Sequence, residues 1–162
     1  MPYVIDTDVF LQAKNLHYGF DFCPGFWEWL KDSNVKKSVF SIEKVKAELV
    51  DDDAAGWADQ YGEEFFLKPD AGVGKALATV SQWVTGQSYE PAAINTFLQV
   101  ADYYLIAHAL SLGYVVVTHE VPANSPKKIK IPNVCIGLGI KCMNPFEMLR
   151  VERARFVLGK PA

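Results

Sequence analysis

Two aspartates, Asp6 and Asp8, follow directly on the apolar run "YVI" near the start of the chain. An ionised carboxylate beside a buried strand loses its water, and a base, a set of backbone donors or a metal ion must offset that cost. Strands also disfavour Asp, so Asp6 is hard to dismiss as an incidental charge. Three further acids stand at element ends or inside apolar helical patterns: Glu48 in "VKAELV", Asp102 in "ADYYLIAHAL" and Glu120 shortly after "VVVT". Each alone has an ordinary explanation, as a charge favoured near a helix start or as a solvated surface group. Together they would repel one another unless cations neutralised them. Hard divalent ions such as Mg²⁺ or Mn²⁺ take oxygen ligands, commonly carboxylates plus waters and substrate phosphates.

The basic residues bear on the same question. Formal net charge is −3, which alone does not suggest a nucleic-acid binder. Residues 43–102 nevertheless hold eleven acids against four bases, and residues 121–162 hold eight Lys or Arg against two acids. One half can hold cations and the other phosphates. Lys127, Lys128 and Lys130 lie in the loop that leaves Glu120, where they can steer a phosphate backbone towards the acids. A solvated loop is the alternative.

The elements must bring these residues together. With 162 residues, half of them hydrophobic, the chain suits one domain over 1–162 with a sizeable core. No apolar run reaches membrane-span length, and the start lacks the pattern of a signal peptide. Cys23, Cys135 and Cys142 have no metal-ligand spacing and read as reduced thiols of a cytoplasmic protein. "YVI", "SVFSI", "YVVVT" and "KCM" read as strands. Helices are expected from Val9, over "GFWEWLKD", over "IEKVKAELV" with Ser41 as its cap, and over "DDDAAGWADQYGEEFF" with the Asp51–Asp53 run as its cap. Further helices follow over Asp70–Thr85, over "PAAINTFLQVADYYLIAHALSLG" as one or two pieces ending at Gly113, and over "NPFEMLRVERAR" from the cap Asn144. "NVCIGLGI" is a short helix or a turn, and "EVPANSPKKIKIP" a loop. Strands alternating with helices give an α/β domain with a largely parallel sheet. Ligands of such sheets bind beyond the carboxyl ends of the strands, where Asp6 and Glu120 should emerge.

"VIDTDVF", "VKAEL", "ADYYLIAHAL" and "VVVTHE" resemble, in order and spacing, the acidic motifs of PIN-domain ribonucleases. "FWEWL", "VVTHE" and the closing "KIPNVCIGLGIKCMNPFEMLR" resemble the DUF4411 branch of PIN-like proteins, over nearly the whole chain. The resemblance implies a three-layer fold, with a central twisted parallel sheet flanked by helices and an acidic pocket at its carboxyl edge. It implies metal ligation and catalysis by Asp6, Glu48, Asp102 and Glu120, with one or two Mg²⁺ or Mn²⁺ ions and hydrolysis of RNA by metal-activated water. Glu120 stands where the family usually has Asp. Thr7 and Thr118 would fix the carboxylate rotamers. Asp8 would touch a metal-held water or orient Thr7. His119 would contact substrate or serve structure. His108 reads as a satisfied core residue and His17 as an uninformative loop residue. The resemblance further implies the toxin of a bacterial toxin–antitoxin pair. Its antitoxin would carry a helix-turn-helix and a metallopeptidase-like domain, and such toxins are often dimers.

Two rivals stand beside this reading. "DTDVF" also resembles the Asp-x-Asp motif of haloacid-dehalogenase-like phosphatases, with Asp6 as nucleophile and Asp8 as general acid, although no late acidic pair follows Thr118. The fold can also serve as a partner-binding module with a weak or lost site, a reading that Glu120 in place of Asp keeps open.

Overall fold

The computed structural model describes residues 1–159 and, among these, every side chain except that of Asp52. Five parallel strands form its centre: β1 (Tyr3–Ile5), β2 (Val39–Ile42), β3 (Phe66–Leu67), β4 (Val115–Val117) and β5 (Cys142–Met143). Their order is β3-β2-β1-β4-β5. Every residue of β1 and β4 is buried, as continuous apolar strands covered on both faces should be. The helices flanking the sheet complete the expected three-layer α/β architecture.

The chain builds outward from β1 through β2 to β3, then returns to lay β4 and β5 on the other side of β1. The direction of winding therefore reverses between β1 and β4. Loops leaving these two strands diverge and open a crevice at their carboxyl ends, the usual ligand site of doubly wound sheets. Register places Ile5 beside Val117, so Asp6 and Thr118 leave the sheet as neighbours.

The nine α-helices of the described residues are α1 (Thr7–Gln12), α2 (Pro24–Val35), α3 (Glu43–Glu48), α4 (Asp52–Ala58), α5 (Ala71–Thr85), α6 (Pro91–Phe97), α7 (Ala101–Leu112), α8 (Ile131–Leu138) and α9 (Pro145–Val151). A π-helical turn, Ala13–His17, continues α1. α5, α7 and α8 pack against one another. Phe10, Trp27, Trp57, Phe65 and Phe66 form a cluster of aromatic contacts that ties α1, α2 and α4 to the β3 side. Phe26, Trp27 and Leu30 of "FWEWL" are buried, as their helical spacing predicts.

Three local expectations are corrected. The helix expected over 51–66 stops at Ala58; Phe65 and Phe66 N–H groups both donate to the Gly62 carbonyl, and Phe66 starts β3. Its Asp51 does cap the helix, accepting from Asp53 N–H at 3.1 Å and pairing with Lys14. Ser41 is no cap: it lies inside β2 and its hydroxyl donates to the Ile5 carbonyl at 2.6 Å, while Ile42 precedes α3 without a side-chain cap. Of the two readings of "NVCIGLGI" the helix holds, but it starts earlier, at Ile131 inside the expected loop, with Pro132 in its first turn. Gly113 ends α7 in the left-handed region (φ 72°), as a glycine stop should.

Candidate active site at the carboxyl edge of the sheet

Asp6 is the first residue past β1 and the cap of α1. Its Oδ1 accepts the Thr7 N–H at 2.8 Å and its Oδ2 accepts the Thr118 hydroxyl at 2.8 Å. Only 4% of the residue is exposed. These two donors answer part of the cost of burying a carboxylate there. The rest is visible in its acidity: burial first, then Asp8 and Asp102, push the Asp6 carboxyl well above the usual range. The Thr118 hydroxyl has one proton, so its 2.8 Å contact to Asp6 is the bond and its 3.4 Å approach to Asp8 a weak second. The same oxygen accepts the Glu120 N–H at 3.1 Å.

Thr7 opens α1 and aims its hydroxyl at Glu48 Oε1, 2.6 Å away at the end of α3. Thr7 and Thr118 thus both hold carboxylates, as expected. Asp8 does not orient Thr7 by any hydrogen bond. It faces β4 instead, where His119 N–H donates to its Oδ1 at 3.3 Å. Glu120 reaches forward, and its Oε1 accepts the Ile131 N–H at 3.0 Å.

Asp102 lies in the first turn of α7. Burial, then Glu120, Glu48 and Asp8, raise its carboxyl to about 7, against a lowering pull from Lys128. Five acids from four parts of the chain therefore sense one another at this edge. Among the described residues no three His, Cys, Asp or Glu side chains converge as a ready ligand shell. The donor set still fits a hard divalent ion. All donors are carboxylate oxygens, their mutual repulsion is what a cation relieves, and Mg²⁺ commonly uses one or two carboxylates plus waters and substrate phosphates rather than a full protein cage.

Beside Asp102 opens a cavity of about 480 Å³. Glu48 and Asp102 line it together with Lys127 and Lys128, both exposed. Lys130 is not among its lining; it precedes α8, half-buried. Ala93, Phe97, Val100 and Ile129 give the cavity an apolar wall, and Glu90 stands on its lining. Glu90 and the wall of α6 escaped sequence reasoning, although Pro91 as a first helical residue marks Glu90 as the residue before the helix.

The histidines also differ from expectation. His17 stacks on His119 with ring centroids 5.9 Å apart, and both rings touch Phe146 edge-on. Burial, opposed by Asp8 and then reinforced by His17, lowers the His119 pKa. His108 is buried in the core as expected but is not satisfied: its Nε2 has no hydrogen-bond partner among the described residues. Cys23, Cys135 and Cys142 are free thiols.

Sheet order, the crevice between β1 and β4 and the acids around it define an α/β domain with an acidic cleft at its switch point. Within that class, the chain belongs to the DUF4411 family: the family model, described as a domain of unknown function, matches residues 3–156. No curated protein and no solved structure matches the chain. No helix among the described residues is long and apolar enough to cross a membrane.

Proposed function

We propose that the chain is a metal-dependent endoribonuclease and the toxin of a bacterial toxin–antitoxin pair. The observation that carries the nuclease reading is the placement of Asp6, Glu48, Asp102 and Glu120 around the crevice, with Asp6 and Asp102 raised by burial and by their neighbours. Exposed Lys127 and Lys128 line the same cavity as Glu48 and Asp102, so a phosphate can be drawn to the acids. The toxin role, its antitoxin and the homodimer rest on the family resemblance.

Asp6, Glu48, Asp102 and Glu120 would hold one or two Mg²⁺ or Mn²⁺ ions. Bound there, the ion supplies a more acidic water and compensates charge on the phosphate oxygens. Thr118 and the Thr7 N–H fix the rotamer of Asp6, and the Thr7 hydroxyl fixes Glu48. Asp102, poised at about 7, can hold or release a proton at neutral pH. A phosphatase reading with Asp6 as nucleophile lacks the late acidic pair that such enzymes carry after the position of Thr118. A partner-binding module without strong catalysis is the second reading, favoured by the spread of the acids, which form no ready ligand shell among the described residues.

Incubation of a mixed RNA pool with the protein in Mn²⁺, Mg²⁺ or EDTA tests the proposal. Cleavage is expected with either metal, and none in EDTA or with Asp6→Asn. Intact RNA in every lane would favour the partner-binding reading.

A further inference from the structure

Glu90 has no assigned task in the site described above. It precedes α6 but its side chain makes no cap, and no hydrogen bond or ion pair engages its carboxylate among the described residues. Its backbone N–H donates to the Pro126 carbonyl at 2.9 Å, which pins the start of α6 to the segment that carries Lys127 and Lys128. The backbone of the exposed Glu90 is thus fixed beside a cavity whose wall is apolar, whose volume is about 480 Å³, and whose other charged borders are the lysines, Glu48 and Asp102. Pockets of this size take small ligands. This one has room for a single nucleotide unit.

The three parts of the lining match three parts of a nucleotide. Exposed lysines suit its phosphate. Ala92 and Val100, open on the lining alongside the buried Ala93, Phe97 and Ile129, suit the flat face of a base, since unstacked bases seek apolar surface. A carboxylate is acceptor-only, so Glu90 selects a base edge that presents donors alone. On their Watson–Crick edges adenine and cytosine set a ring acceptor beside their amino group, and uracil sets carbonyls on both sides of its one N–H. Guanine alone presents two adjacent donors, N1–H and the 2-amino group, in the spacing of two carboxylate oxygens.

We propose that this cavity seats one unpaired guanine of the RNA, with Glu90 accepting both hydrogen bonds from its Watson–Crick edge. The inference rests on the ribonuclease reading for its ligand, but not for its test. Fluorescein-labelled uridine dodecamers carrying one central guanosine, inosine, adenosine or cytidine are titrated with the protein in EDTA, and binding is followed by anisotropy. The guanosine oligomer should bind roughly tenfold more tightly than the adenosine and cytidine oligomers, the discrimination a good bidentate pair gives. Inosine, which lacks the 2-amino group, should lose most of that advantage. Glu90→Gln should remove the preference. Ala92→Trp, a change at an exposed position on the same cavity, should also remove it by filling the space. Equal affinities, no binding of any oligomer, or a guanosine preference that survives both variants would overturn the pocket. Repeating the series with Mn²⁺ separates the two claims. Guanosine-selective binding without cleavage sinks the nuclease and leaves the pocket. Cleavage without guanosine preference does the reverse.

Discussion

Asp102 shows most clearly what the acid cluster costs. Folding lifts its carboxyl from the ordinary aspartate value of 3.8 to about 7, mainly by burial and then through Glu120, Glu48 and Asp8. Between those values the folded protein binds a proton that the unfolded chain has released. Linkage then makes stability fall as pH rises through that window, with the loss complete above about 7. Asp102→Asn cannot ionise and should melt higher than the wild type at pH 8 in EDTA, yet nearly together with it at pH 4. Coincident melting curves at pH 8 would contradict the shift. The same proton competes with a metal ion, so Mn²⁺ should bind more tightly at pH 8 than at pH 6, as calorimetry can read. Thr118→Val should cost about 1.5–3 kcal/mol of folding stability in urea, the range for a hydrogen bond to a charged group. Asp6 was the acid most legible in the sequence, because a strand end explains neither its type nor its place. Glu90 was not legible, since an acid before a proline resembles any solvated helix start.

At the scale of elements, the strands and the longer helices could be read because their apolar periods are unmixed. "VVVT" admits few alternatives, and the Asp70–Thr85 stripe reads as a helix although Gly72 and Gly74 weaken it. The failures have local causes. β3 is only two residues long, too short for a period, and its phenylalanines resemble the end of the preceding helix. Ser41 has the type of a cap, but β2 runs on through it and its hydroxyl is spent on β1. Contact between helices is a further thing that no linear pattern shows. At Gly137 an added Cβ would overlap the Trp83 ring, which packs α8 on α5. At Gly74, inside α5, a Cβ meets nothing within 4 Å. Gly137→Ala should therefore destabilise by about 1–3 kcal/mol through overpacking. Gly74→Ala should stabilise by up to about 1 kcal/mol through helix propensity. Chemical denaturation of the two variants side by side decides whether the α5–α8 contact is as close as described. A stable Gly137→Ala would refute it.

Over the whole molecule, an uneven charge distribution becomes a two-sided site. The acids of residues 43–102 and the lysines of the later loop lie far apart in sequence, yet Asp102 and Lys128 border one cavity. The loop after β4 brings this about by returning to the start of α6, where the Glu90 N–H donates to the Pro126 carbonyl. The sequence carried the charge imbalance and the order of the acidic motifs; it did not carry the distances, nor the apolar wall that α6 adds. If the lysines contact phosphates, Lys127→Ala with Lys128→Ala should flatten the plot of log affinity against log salt by roughly 0.7 per lysine on single-stranded RNA. An unchanged slope would remove that loop from the interface.

The chemistry of the cut RNA ends tests the central claim most directly. RNA incubated with the protein and Mn²⁺ is ligated to adaptors that discriminate terminal phosphates, then sequenced, with EDTA and Asp6→Asn as controls. Attack by water with the 3′-oxygen as leaving group, as the family resemblance implies, predicts 5′-phosphate and 3′-hydroxyl ends that vanish in both controls. Cyclic 2′,3′-phosphate ends, or cleavage that persists in Asp6→Asn, would contradict it.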